Sequence, residues 1–259
     1  MPGHILVARD GSVATVTLSS PGRMNALDKT MWAQLGAAMT ELGTDEALRC
    51  VVIRGDGDKA FAAGADIAEF KNERANSAQA KAYSRGGIGW MHAVAQCRHP
   101  TVALIQGACV GGGLLIASQC DLRICNESAR FGVPVKNLGL TESYDELQAM
   151  MRVIGPAASL EILLEGRIWG AREAYEKGLV NRVLADGKVV EEAYATARRI
   201  ADGAPLVARW HKKFVRRLLD PRPLTHEERD EGYACFDTED FRTGVAAFLA
   251  KKKPEFRGR

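Results

Sequence analysis

Two short runs open the chain, Ile5–Ala8 and Val13–Leu18, each rich in apolar and β-branched residues and divided by Asp10-Gly11. That pattern predicts a pair of strands joined by a tight turn. Asp28 then offers a helix N-cap, and Met31, Leu35, Met39 and Leu42 follow at helical spacing up to a stop at Gly43. Cys50–Ile53 and Thr101–Ile105 lack polar alternation, as strands buried on both faces do. Leu122–Cys125 and Arg130–Phe131 read as shorter strands.

Between the two buried runs the texture changes. Lys71–Gln79 is polar, and Gly86, Gly87 and Gly89 interrupt the helical pattern of Tyr83–Gln96, so a mobile loop feeding a broken helix is expected. The last third reads as helical. Ser143-Tyr-Asp-Glu146 forms a capping box ahead of Leu147–Ile154, which stops at Gly155-Pro156. Further helices are expected at Ala157–Glu165, Ala171–Lys177, Val189–Ala201 and Pro205–Leu219, with two more before Lys251. Strands alternating with helices, then helices alone, predict an α/β core over 1–203 and a helical C-terminal region over 204–259. No internal repeat is visible in the sequence.

Composition narrows the class. At 259 residues, 46% hydrophobic and 26% charged, the chain is suited to one large folded domain, which excludes disorder, collagen and coiled coil. No uninterrupted apolar run approaches the roughly 20 residues of a membrane span. Met1–Asp10 lacks the charged-then-apolar layout of a secretion signal, so a cytoplasmic protein without a membrane partner is expected. A net charge of +3 is too small to predict a nucleic-acid partner. The basic excess is confined to 204–259, with 13 Lys/Arg against 9 Asp/Glu: either a solvated helical face or a surface that neutralises an anionic ligand. The six cysteines form no CxxC pair and the five histidines no HExxH pattern. No metal is expected, and the cysteines read as small buried hydrophobes.

The candidate chemistry lies in two glycine-bearing segments, each directly after a buried strand. The first is Phe61-Ala-Ala-Gly-Ala-Asp-Ile67 and the second Gly107-Ala-Cys-Val-Gly-Gly-Gly113, which opens the helix Leu114–Cys120. Glycines at a helix start leave N–H donors unpaired at the positive end of the helix dipole. Tight packing turns account for such glycines as well. As a pair, the segments offer one backbone N–H each to a developing oxyanion.

Taken in order, Arg23-Met-Asn-Ala-Leu27, Phe61–Ile67, Ile105–Gly113, Cys120-Asp121, Phe131-Gly-Val-Pro134, Leu138-Gly139, Ala171–Val180 and Phe248–Phe256 resemble the crotonase (enoyl-CoA hydratase/isomerase) superfamily over nearly the whole chain. The resemblance implies an α/β spiral of ββα repeats, a helical C-terminal trimerisation region, and a homotrimer or dimer of trimers. It implies a coenzyme A thioester as substrate and no cofactor beyond the coenzyme A which that substrate carries. It further implies that the Ala65 and Gly112 N–H groups hold the thioester oxygen, that Ala63, Asp66 and Ile67 line the adenine side, and that Arg23 lies near the phosphates. Trp90 and His92 border the acyl pocket in this family.

The departures from the family pattern redirect the chemistry. Hydratases that this chain resembles carry a glutamate two residues after the triple glycine, where this chain has Leu115, and another directly after the proline of Phe-Gly-x-Pro, where it has Val135. Neither Leu nor Val can position water or move its proton. One carboxylate remains nearby, Glu142, three residues after Gly139; the isomerases that this stretch resembles place theirs four after, at Ser143 here. A single carboxylate suffices to move a proton between two carbons of an enolate, so double-bond migration through Glu142 is the expected reaction. Asp145 is the fallback base, and charge at a helix N-terminus is the purely structural account of Glu142. Decarboxylation or thioester hydrolysis assisted by Tyr144 or His92, and acyl-CoA binding without catalysis, remain as alternatives.

Overall fold

The computed structural model describes residues 3–259, the side chains of 85–88 excepted; Met1 and Pro2 lie outside the described residues. Strands β1 (His4–Asp10) and β2 (Val13–Ser19) form the opening antiparallel hairpin. Helix α1 (Lys29–Thr44) starts where the Asp28 carboxylate accepts the Met31 N–H at 2.9 Å, and it passes Gly43 by one residue. Then come β3 (Cys50–Gly55), β4 (Ala60–Ala62), α2 (Phe70–Glu73), α3 (Ser77–Gln96), β5 (Thr101–Ile105), β6 (Ala108–Val110) and α4 (Gly112–Gln119). The chain continues through β7 (Leu122–Asn126), β8 (Arg130–Gly132), α5 (Tyr144–Glu165), β9 (Trp169–Gly170), α6 (Ala171–Glu176), β10 (Arg182–Leu184) and α7 (Val189–Ala201). Helices α8 (Pro205–Arg217), α9 (His226–Glu231) and α10 (Glu239–Leu249) follow.

The strands divide between two sheets, β1-β2-β3-β5-β7-β10 and β4-β6-β8-β9. Successive units β3-β4-α3, β5-β6-α4 and β7-β8-α5 each place their first strand in the larger sheet and their second in the smaller. These are the ββα turns of a spiral. The repeat lies in the topology and leaves no mark in the sequence, because each turn packs against a different neighbour.

The inner strands β3 and β5 of the larger sheet are buried on both sides. Val51 and Ile53 of β3 join the main core with α1 and α3, while Cys50 and Val52 join a second core formed with Val189, Ala193 and Ala197 of α7. Burial on both faces explains why β3 and β5 read as continuous apolar runs.

The loop and broken helix expected over 71–96 are instead two helices, the second unbroken from Ser77 to Gln96. The Asn76 side chain caps α3 by accepting the Gln79 N–H at 3.0 Å. Each interior glycine costs a helix only about 1 kcal/mol, and packing on α1 offsets that cost. The Trp32 and Trp90 rings stack at 4.3 Å. Polar Lys71–Gln79 is the outward face of short helical turns.

Helix α5 is long and apolar enough to cross a membrane by composition, but it is two helices joined at a kink, as the expected stop at Gly155-Pro156 implies. Gly155, at φ +72°, breaks it at the expected stop, and Met150 and Ile162 pack inward. The C-terminal helices are tied back to the core through Asp121, which accepts Lys212 Nζ at 2.7 Å and Arg216 Nη2 at 2.8 Å.

Candidate active site

Parallel pairing of β4 with β6 sets the two glycine-bearing segments side by side. Both strands are three residues long and invisible to periodicity. At the end of β4 the chain bridges to Leu27: the Leu27 N–H donates to Gly64 O at 2.8 Å and the Asp66 N–H to Leu27 O at 2.9 Å. In such a parallel bridge the intervening residue turns its own amide the other way, so the Ala65 N–H faces away from Leu27. At the end of β6 the Gly111 N–H closes onto Gly132 O at 2.8 Å, and the next amide, of Gly112, is the first of α4. Neither the Ala65 nor the Gly112 N–H has an acceptor among the described residues.

The two amides are neighbours. A β-carbon built on Gly112 would lie 3.6 Å from Ala65 N, and one on Gly64 would lie 3.5 Å from Gly112 N. Gly64 (φ +101°) and Gly111 (φ +51°) adopt conformations that side chains resist, which is why glycine is needed at these turns. Two unpaired donors side by side, one of them at a helix start, form a place where negative charge on oxygen is stabilised.

An aromatic wall runs from this amide pair. The Trp32 ring edge lies against Gly112, 2.8 Å from where a β-carbon would be. Behind Trp32 stacks Trp90, and the buried Tyr83 hydroxyl sits near Trp32 and Arg74. Arg74 lies over the Tyr83 ring at 3.9 Å and the Phe70 ring at 4.5 Å, and its charge acts on Glu142.

Glu142 is half-buried in the loop between a 3-10 turn at Val135–Leu138 and α5. Burial pushes its carboxyl up to about 8; the charge and hydrogen bonding of Glu146 add to the rise, and Arg74 opposes it. Glu146 stays on its capping duty, accepting the Ser143 N–H at 2.7 Å. A carboxyl that titrates near neutrality is suited to taking and returning a proton.

The remaining predicted residues fall into groups. Leu115 is buried and Val135 partly buried in the main core, so neither position presents a carboxylate. Arg23 pairs with Asp66 and, at 3.3 Å, with Asp28, and donates to Ser20 Oγ at 2.9 Å. Ala63 and Ile67 are exposed beside this pair, as is Met24, whose carbonyl accepts the Ala63 N–H at 3.0 Å. Asn25 pins this corner to β4 through Ala60 O at 2.8 Å. Tyr144 is 94% exposed at the start of α5. His92 and Asp145 line a separate cavity of about 720 Å³ between α3, α5 and α8, which none of Ala65, Gly112 and Glu142 borders. The cysteines carry no activated thiol near the amides: burial holds the Cys109 thiol far above its ordinary range.

Sequence reasoning passed over Trp32, Tyr83 and Arg74. Trp32 looked like one more helix residue beside Met31, and Arg74 and Tyr83 fell in or beside the stretch read as loop. No local signal marks them, since α1, α2 and α3 bring them together only in the folded chain.

Paired turns feeding two sheets, with free amides at the ends of β4 and β6, define an acyl-CoA enzyme of the crotonase fold, and the comparisons agree. The chain belongs to the enoyl-CoA hydratase/isomerase family, whose sequence profile matches residues 8–259. It is 37% identical to a probable enoyl-CoA hydratase of Rhizobium meliloti, over 98% of both chains. It is 30% identical to the short-chain-enoyl-CoA hydratase of Clostridium acetobutylicum, over 97% of both. Among solved structures, an enoyl-CoA hydratase/carnithine racemase from Magnetospirillum magneticum superposes with a TM-score of 0.97 at 50% identity, covering 98% of this chain and 96% of that one.

Proposed function

We propose that this enzyme moves a carbon–carbon double bond in an enoyl-CoA thioester, using Glu142 to carry the proton. The substrate's thioester oxygen accepts from the Ala65 and Gly112 N–H groups. Ionised Glu142 removes a proton from the carbon between the thioester and the double bond of a 3-enoyl chain. The electron pair spreads into a dienolate whose oxygen the two amides stabilise. Glu142 then returns the proton two carbons further along, the double bond ends next to the thioester, and no water is consumed.

The observation that supports this reading is the Glu142 carboxyl, which burial pushes up to about 8, in a chain whose two hydratase positions are Leu115 and Val135. The relatives named hydratases supply the competing reading, addition of water. Coenzyme A is proposed to lie along Arg23, Ala63, Asp66 and Ile67, and the acyl chain along Trp90, Leu115, Val135 and the Tyr144 end of α5. The region 204–259 is proposed to hold a trimer together; apolar side chains left bare in the single chain, such as Phe248 at 82% exposure, support this.

The test offers the purified enzyme a 3-enoyl-CoA and crotonyl-CoA and identifies the products by mass spectrometry. Isomerised thioester from the first, lost in Glu142→Gln with binding of a saturated acyl-CoA retained, is the expected result. Faster hydration of crotonyl-CoA than isomerisation, or full turnover by Glu142→Gln, rejects it.

A further inference from the structure

Arg74 is a cation held in place and, among the described residues, in no ion pair. Its guanidinium is stacked on Tyr83 and Phe70, and its Nε is buried with no hydrogen-bond partner among the described residues. The carboxylates of the segment that carries it, and Glu146, are engaged elsewhere. Asp66 pairs with Arg23, Glu73 with Lys29 at 2.7 Å, and Glu69 accepts the Lys29 N–H at 2.9 Å. Glu146 holds the Ser143 N–H at 2.7 Å. Glu142, on whose carboxyl the Arg74 charge acts, forms no ion pair with it among the described residues and is held toward its neutral form by burial.

A partly desolvated cation without a counter-ion is costly, and stacking on rings orients it without cancelling its charge. A planar fork fixed in this way matches a carboxylate, which it binds through two parallel hydrogen bonds. Pairwise contacts from Gly112 to Trp32, from Trp32 to Tyr83 and from Tyr83 to Arg74 link the amide pair to that fork.

We propose that Arg74 selects acyl chains bearing a carboxylate at the end remote from the thioester, so that the preferred substrates are mono-CoA thioesters of short dicarboxylic acids. This inference rests on the reading that an acyl-CoA occupies the amide pair, but not on which reaction follows.

The experiment is calorimetric titration of the enzyme with saturated, unreactive pairs: glutaryl-CoA against pentanoyl-CoA, and adipyl-CoA against hexanoyl-CoA. The wild type is expected to bind one carboxyl-bearing member about ten-fold or more tightly than its uncharged partner, as a charged hydrogen bond warrants. Arg74→Met removes that preference while leaving pentanoyl-CoA affinity within about two-fold. Arg74→Lys keeps part of it, since the charge remains and the fork is lost. Unchanged uncharged-ligand affinity in the variants certifies that they fold.

Equal affinities within both pairs overturn the proposal, as does a preference that survives Arg74→Met. Equal weakening of charged and uncharged ligands by Arg74→Met also overturns it, because Arg74 then serves a phosphate of coenzyme A. Absence of binding by every member removes the acyl-CoA reading and this inference together. Binding with the expected preference but no isomerisation leaves the inference standing and rejects only the proposed reaction.

Discussion

The ring of Trp32 occupies the space a side chain on Gly112 would need: a β-carbon there would lie 2.8 Å from its Cη2 and 2.9 Å from its Cζ2. Trp32 has no room to withdraw, because Trp90 stacks behind it at 4.3 Å. Gly112→Ala therefore shifts the amide. Loss of one oxyanion donor raises the barrier by about 2.7–4 kcal/mol, so turnover falls about 10²–10³-fold while affinity for a saturated acyl-CoA changes far less. A variant with wild-type kcat shows that the Gly112 amide does not hold the reacting oxygen.

The pH–rate profile follows from Glu142. As the proton acceptor it must be ionised, and burial pushes its carboxyl up to about 8. At neutral pH only a minor fraction of free enzyme is competent, so kcat/KM climbs about ten-fold per pH unit below that point and levels off above it. Steady-state rates across a buffer series check this. A profile flat through neutrality assigns the proton transfer to another group.

The same carboxyl burdens the fold. Its folded pKa lies above the ordinary 4.5, so the folded state holds the proton longer than the unfolded chain does. Stability from this group is complete below about 4.5 and is lost as pH rises through about 8. Glu142→Gln cannot ionise. Its thermal midpoint is expected to pull ahead of wild type across that window, the gain growing with pH until about 8 and kept above it. A constant offset at all pH values refutes the linkage.

How far these features were legible differs from one residue to the next. The Asp28 cap, the Ser143–Glu146 capping box and the β5 run Thr101–Ile105 were readable because each depends on neighbours a few residues away. Strands β4 and β6 were not, since three residues carry no periodicity and their partners lie far along the chain. Glycines near Gly89 argued against a helix that tertiary contact with α1 nevertheless sustains. The motif residues Ala65 and Gly112 could be named from sequence, but whether their amides met was a question of sheet pairing. Arg74 carried no signal at all: its significance lies in what is stacked on it and what is missing beside it.

His99 supplies an acid-side counterpart to Glu142. It is fully buried, both ring nitrogens lack partners among the described residues, and burial, with Arg209 and Arg98 nearby, pushes it down to about 4. The unfolded chain takes up this proton first, near 6.5. Stability held above that value is therefore lost as pH falls toward about 4. His99→Leu leaves the backbone carbonyl that accepts Lys212 Nζ at 2.7 Å and removes the titration. Its melting temperature is expected to decline less steeply with acid than wild type; parallel acid slopes reject the assignment.

Asp121 is the anchor between the spiral and the helices that follow it. Its carboxylate accepts Lys212, Arg216 and both the N–H and hydroxyl of Thr101, at 2.7, 2.8, 2.8 and 2.9 Å. The Lys212 side chain is only 8% exposed. Asp121→Asn strands that buried ammonium, and removing one partner of a buried pair costs about 3–5 kcal/mol. Adding Lys212→Met to Asp121→Asn removes the stranded charge and is expected to recover part of the loss. Chemical denaturation of the two single variants and the double variant measures the coupling. Additive losses would mean that Lys212 finds another partner and that α8 is held on by its apolar face alone.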